Sequence, residues 1–214
     1  MVKTNRYWLI TMVFILMMLS GCARTVTPLF PLGKTIIFDV NFKEDIDGSA
    51  NRYYVILRSS SSAQIPFTPI KFIEPDDIPD QPEVNYADFY GTWNYYFVLE
   101  GNTVYLASGP FSTTEAVTKE TIAIWNGSEP RNIRISYDIE RLFPSPTPTA
   151  LYFDFVTVGI SDKIVKDNLS PVTGNVSTQN INTTYAGTFV TGSDEATPGI
   201  PGALDISGWS VSVQ

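Results

Sequence analysis

An antiparallel β-sandwich is the fold class this sequence predicts for residues 34–214, and three observations predict it. Short runs dense in β-branched and aromatic residues recur along the chain. Gly, Asn, Asp and Pro clusters separate them at hairpin-like intervals. No long stretch carries the three-to-four-residue apolar spacing of an amphipathic helix, so runs of strands must pack on one another.

Taken in order, Thr35–Phe42 opens as a strand, and from Phe38 it alternates apolar with polar. Tyr53–Arg58 is a second strand. The intervening Asp47-Gly48 predicts that the two form a hairpin. Ser59–Ala63 reads as a polar loop, and Ile65–Ile73 as a short edge strand broken by Pro66 and Pro69. Glu74–Asp88 is acidic, carries Pro75, Pro79 and Pro82, and reads as a long surface loop. Trp93–Leu99 and Thr103–Ala107 flank Glu100-Gly101-Asn102, the clearest hairpin in the chain. Lys119–Trp125 and Asn132–Tyr137 predict a further hairpin across Asn126–Pro130. Asp138–Phe143 reads as one helical turn ended by Pro144, Pro146 and Pro148, and Ala150–Val158 as an almost wholly apolar strand. From Ser170 the chain is rich in Thr, Asn, Gly and Ser, which suits edge strands or a poorly ordered tail. The alternation in Trp209–Val213 predicts a final strand. The set implies an immunoglobulin-like or jelly-roll-like sandwich, with a closed barrel as the alternative. Strands so few and irregular do not suit a transmembrane barrel. No repeat of fixed period is present.

The N-terminus has a different logic. Lys3 and Arg6 precede Tyr7–Leu19, an apolar run of about 13 residues interrupted by Thr11, and then come Ser20, Gly21 and Cys22. This is signal-peptide layout, a helix over the apolar run, and it is shorter than the roughly 20 residues that span a bilayer. Leu19-Ser20-Gly21-Cys22 resembles the lipobox of bacterial lipoproteins: an aliphatic residue, a small residue, Gly or Ala, then Cys. The resemblance covers residues 1–22. It implies cleavage before Cys22, a diacylglyceryl group on its sulfur and a lipid-anchored protein in the cell envelope. Several acyl chains hold a protein stably on a bilayer where one does not. Ala23, in place of the Asp that retains such proteobacterial proteins at the inner membrane, implies the outer membrane where a cell has one. The organisation is then a signal over 1–21, a Pro-containing tether over 22–33 and the sandwich over 34–214.

Composition bounds the chemistry. The formal charge of −8 becomes −10 after cleavage, because Lys3 and Arg6 leave with the signal and no acid does. Such a domain lacks the clustered cations that nucleic-acid binding requires, and anionic headgroups would repel it, so the lipid must hold it to the membrane. Cys22 is the one cysteine, so the domain forms no disulfide although its compartment permits one. There is no histidine at all. That excludes Ser-His-Asp and Cys-His catalysis and zinc sites built on His, leaving carboxylate chemistry and hard-cation binding.

Asp45, Asp47 and Asn51 around Gly48 space oxygen ligands as a calcium loop does. They lack the further acid of an EF-hand, and Asp-Gly is equally explained as an acidic turn. The acids of Glu74–Asp88 offer pairs for glycoside hydrolysis only if something fixes two of them together; otherwise they make a solvated negative face. Asp39, Glu100 and Asp154 lie on or beside strands with no evident partner. Tyr86, Phe89, Tyr90, Trp93, Tyr95 and Tyr96 form the densest aromatic group. Alternation places Trp93, Tyr95 and Phe97 on one face and Tyr96 and Val98 on the other, so at least one face is core. Tyr86 and Tyr90, in the loop before the strand, are expected to be exposed, and with Trp93 they are the candidate sugar-stacking residues. Four Asn-X-Ser/Thr triplets, starting at Asn126, Asn168, Asn175 and Asn182, read as chance occurrences in Ser/Thr-rich turns. No phosphate-binding glycine loop is present.

The strand rhythm from Asp47-Gly48 through Tyr53–Leu57, Ile133–Asp138 and Leu151–Phe155 is similar to that of secreted sandwich modules of the DOMON and carbohydrate-binding type. The resemblance concerns fold and carries no binding residue. Two functions therefore stand: a lipid-anchored module that binds a glycan or an envelope protein, and a carboxylate-dependent polysaccharide hydrolase.

Overall fold

A computed structural model describes residues 33–61, 63–65, 89–111, 117–169 and 179–214. Among them are eleven strands: β1 (Thr35–Phe42), β2 (Asn51–Arg58), β3 (Tyr95–Glu100), β4 (Thr103–Ser108), β5 (Lys119–Ile124), β6 (Asn132–Asp138), β7 (Ala150–Gly159), β8 (Val165–Asn168), β9 (Asn180–Asn182), β10 (Phe189–Ser193) and β11 (Ile206–Val213). A short helix, α1 (Ile139–Leu142), follows β6, and Asp138 caps it by accepting from Glu140 N at 2.8 Å.

The strands form two antiparallel sheets that pack as a sandwich. The smaller runs β10-β11-β1-β6. The larger runs β5-β4-β3-β2-β7-β8, with β9 sharing the outer edge of β7: β9 pairs Ala150–Tyr152 and β8 pairs Val156–Val158. Between the sheets lies an aromatic-rich core. The Phe38 ring meets Phe97, Phe153 and Phe155 with centroids 6.0, 6.2 and 6.3 Å apart, and Trp209 meets Phe153 at 5.5 Å. The tilted and edge-on geometries are those the ring quadrupoles favour.

The two sheets differ in what covers them, and the sequence pattern follows. In the smaller sheet β1, β6 and β11 alternate buried with accessible residues, because one face looks to solvent. In the larger sheet β2, β3 and β7 are buried residue after residue. Their outer side carries a second apolar cluster, in which Ala63, Ile65, Phe89, Tyr90 and Trp93 lie over Tyr54, Ile56, Tyr96, Val98, Val156 and Val158. Both faces of these strands are core, so they read as continuous apolar runs.

Two expected hairpins are corrected. β1 and β2 do not pair: β1 lies between β11 and β6, and β2 between β3 and β7. Asp47-Gly48 belongs to a crossing between sheets. A Cβ on Gly48 would sit 2.0 Å from Gly101 O, and Gly48 O accepts from Gly101 N at 2.8 Å. Close backbone approach, not a hairpin bend, demands that glycine. β5 and β6 likewise lie in different sheets, β5 against β4 and β6 against β1. The chain changes sheet through Trp125, whose backbone N–H bonds Asn102 O at 2.8 Å. The β3–β4 hairpin stands as expected, with Gly101 at φ +57°. The final strand also stands, and β11 is a central strand, between β10 and β1.

Candidate functional site

The sequence-predicted residues fall in three places. Cys22, Tyr86, the acidic loop 74–88 and most of the 65–73 strand lie outside the described residues. Tyr90 and Trp93 are buried, 1 % and 3 % exposed, which corrects the expected exposure of Tyr90 and the stacking role of both. Their rings meet each other at 4.5 Å and Tyr96 at 6.1 and 5.9 Å, and Trp93 Nε1 donates to Gln64 O at 2.8 Å. Trp93 precedes β3 and packs on the outer side with Tyr96 and Val98, whereas Tyr95 and Phe97 face the other sheet. Strand alternation does not extend back to Trp93, because Trp93 closes the 3₁₀ turn over Tyr90–Thr92, its N–H bonded to Tyr90 O at 3.0 Å, and β3 begins only at Tyr95.

Asp45, Asp47 and Asn51 serve the inter-sheet crossing. Asp47 Oδ1 accepts from Ser49 N, Ser49 Oγ and Ala50 N at 2.9, 2.6 and 3.2 Å; the Ser49 hydroxyl, foremost among these, pulls its carboxyl below the ordinary range. Asp45 pairs with Arg131 at 2.9 Å, and Asn51 Nδ2 reaches Tyr53 Oη at 3.5 Å. Among the described residues no three His, Cys, Asp or Glu side chains gather as a metal site would need.

The three strand acids acquire partners. Glu100 pairs with Lys119 at 2.7 Å, and Asp154 accepts from Leu169 N at 3.1 Å. Asp39 accepts from Asn132 Nδ2 at 2.7 Å and lies 3.4 Å from Arg134 Nη1.

Clefts open on the surface formed by the described residues. One, of about 360 Å³, sits at the end of the larger sheet between Arg58, Thr92, Asn94, Tyr95 and Phe143. Its polar groups tie the chain down locally. Arg58 bonds Ser60 Oγ at 2.7 Å and Thr92 O; Asn94 Oδ1 accepts from Ser59 N at 2.8 Å; Thr92 Oγ1 donates to Phe89 O at 2.6 Å. A second cleft, of about 250 Å³, lies where β5 and β6 part company, between Val104, Ile124, Trp125, Asn126, Glu129 and Arg134.

That second cleft adjoins the solvent face of the smaller sheet. Strand register lines its side chains into rows: Thr191, Ser210, Asp39 and Arg134 in one, Ser193, Gly208, Asn41 and Asn132 in the next. Hydroxyls and a glycine fill the β10–β11 side. On the β1–β6 side Asn132 bonds both Asp39 and Asn41, the latter at 3.0 Å, so amide, carboxylate and guanidinium are held in fixed relation. Phe189 and Tyr185 stand exposed near the β10 edge. Residue type alone nominates none of these, since scattered Ser, Thr and Asn carry no motif; only the register assembles them.

A third feature is internal. Asp167 and Asp205 are buried where β8 meets the start of β11. Asp167 accepts from Ile206 N and Asn168 N at 2.8 Å each, and Asp205 Oδ2 accepts from Thr197 N at 3.3 Å. Burial pushes Asp167 up to about 7 against those two N–H bonds, helped by the charges of Asp194 and Asp205. Asp205 is also raised, by burial, and Lys43 opposes the rise.

No family model, curated protein or solved structure matches this chain. The geometry therefore carries the functional argument by itself. Among the described residues no helix is long and apolar enough to cross a membrane.

Proposed function

We propose that the chain is a lipoprotein of the cell envelope, anchored through acyl groups on Cys22, whose sandwich binds a glycan on the solvent face of the smaller sheet. The observation that carries the binding reading is that face: strands β2, β3 and β7 of the larger sheet are covered on both sides, whereas the smaller sheet offers rows of hydroxyl, amide and charged groups at strand spacing. Polyhydroxylated ligands are recognised by such dense, pre-positioned donors and acceptors. The lipobox residues Leu19–Cys22 support the anchor.

Among the described residues neither of these clefts brings two carboxylates together, the larger being lined by none and the smaller by Glu129 alone, which supports binding ahead of hydrolysis. Asp167, whose proton affinity suits a general acid, is buried and bonded to backbone, away from both linings.

Two experiments test the reading. Cys22→Ser should move the protein from the membrane fraction to the soluble one, and mass spectrometry should find the mature N-terminus at a lipidated Cys22. Retention of Cys22→Ser on the membrane refutes the anchor. The wild type should co-sediment with polysaccharide prepared from the envelope, and Ser210→Trp, which fills the middle of the flat face, should abolish this. Undiminished co-sedimentation of Ser210→Trp refutes the face. Capture of an envelope protein that the same substitution blocks would replace the glycan by a protein ligand.

A further inference from the structure

We propose that the cleft between β5 and β6 holds one ring of a neutral oligosaccharide, stacked on Trp125. This deepens the glycan-binding reading and rests on it. Three observations point the same way.

The first is the ring itself. Trp125 is half-buried and lines the cleft. Its Nε1 donates to Asn132 O at 3.0 Å, which fixes one edge of the indole. The benzo end lies against Gly127, where a Cβ would come 3.7 Å from Cη2 and Cζ3. Gly127, at φ +67°, borders that end of the ring with backbone and no side chain. A half-buried indole held by one edge can offer its accessible part for stacking with little loss of side-chain entropy on binding.

The second is the rim. Ile124, beside the indole, is 68 % exposed on an edge strand. A large aliphatic side chain left in water beside the indole extends the apolar surface that the C–H face of a sugar can cover.

The third is polarity and size. Asn126, Ser128 and Asn132 bring amides and a hydroxyl to the wall, and Glu129 and Arg134 bring one charge of each sign. The cleft is thus near neutral, while the chain carries −8 and repels polyanions. At about 250 Å³ it falls below the roughly 300–1,000 Å³ typical of drug-sized sites, so it takes one ring of a chain whose remainder runs over the open face past Asn132 and Arg134.

The test is titration of the purified mature protein with maltotriose, cellotriose and chitotriose, followed by calorimetry and tryptophan fluorescence. Of the tryptophans in the sandwich, Trp93 and Trp209 are buried, so Trp125 is the ring a sugar can shield. At least one trisaccharide should bind saturably and protect fluorescence from acrylamide. Trp125→Ala should weaken that affinity about tenfold or more, and Trp125→Phe should keep most of it. Because Trp125 also touches the core, Ile124→Asn serves as the independent variant; it leaves the fold alone and should weaken binding severalfold. Failure of all three sugars to bind, or binding unaltered in Trp125→Ala and Ile124→Asn, overturns the proposal. If Ser210→Trp abolishes binding while both cleft variants retain it, the open face stands and the cleft falls.

Discussion

The side chain with the largest worked consequence is Asp167. It bridges the two sheets: its own strand, β8, belongs to the larger, while Ile206 N, to which Oδ2 is bonded, opens β11 of the smaller. Its carboxyl moves from an ordinary 3.8 to about 7 in the fold. A raised carboxylate means that the fold prefers the protonated form. The contribution to stability is full below pH 3.8, declines as the unfolded chain ionises and the folded one does not, and is lost once pH passes 7. A displacement of roughly three pH units corresponds to about 4 kcal/mol across that window. For a domain of this size that is on the order of 10 °C in Tm. Urea denaturation at intervals from pH 5 to 8 should therefore show stability falling with rising pH, most steeply on the acid side of 7. Asp167→Asn keeps the shape and removes the titration. An amide accepts at one oxygen only, so one of the two N–H bonds becomes a donor–donor contact, and the variant carries a constant penalty. The discriminating quantity is consequently the slope. Wild type should slope and Asp167→Asn should be markedly flatter, Asp205 supplying what remains. Parallel curves from pH 5 to 8 would refute the reasoning, because they would show that Asp167 ionises as readily folded as unfolded.

Three further outcomes are expected. Phe38→Ala removes a buried ring that packs on Phe97, Phe153 and Phe155 and should cost about 3–5 kcal/mol in chemical denaturation. Gly48→Ala forces a methyl onto Gly101 O and should destabilise by about 1–3 kcal/mol or more, whereas Gly91→Ala, with open space at its Cβ, should change stability far less in the same assay. Asp138→Ala deletes the cap of α1 and should cost about 0.5–2 kcal/mol, with amide exchange faster at Glu140.

How much of this is legible in the sequence differs from element to element. β3 and β4 are readable because both halves of the signal are local: two runs dense in aromatic and β-branched residues and a Gly-Asn turn between them, with Gly101 at positive φ. α1 is readable because Asp138 caps a turn that proline then ends. The neighbours of β1, β2, β5 and β6 are not readable, because a turn signal states that the chain bends, not which sheet receives it. Gly48 and Trp125 make contacts with Gly101 and Asn102, about fifty and twenty residues away, and those contacts decide the crossing.

The aromatic cluster shows the same division. Density of Tyr, Phe and Trp around residue 90 announces a place of large apolar payload. It does not distinguish a platform from a second core, because a ring that stacks on sugar and a ring that stacks on Tyr96 have identical chemistry. The sequence by itself determined composition-level properties: an acidic chain without histidine or a spare cysteine, an all-β pattern, and a lipobox-like N-terminus. Those follow from residue types and short spacings, which need no partner. Tertiary structure alone decided which strand faces were covered, that Asp167 lies between sheets, and that Trp125 borders a cleft beside rows of hydroxyls and amides. Each of these depends on register and on which segments meet from distant parts of the chain. Such pairings are set by the collective fit of two sheets and leave no local mark on the chain.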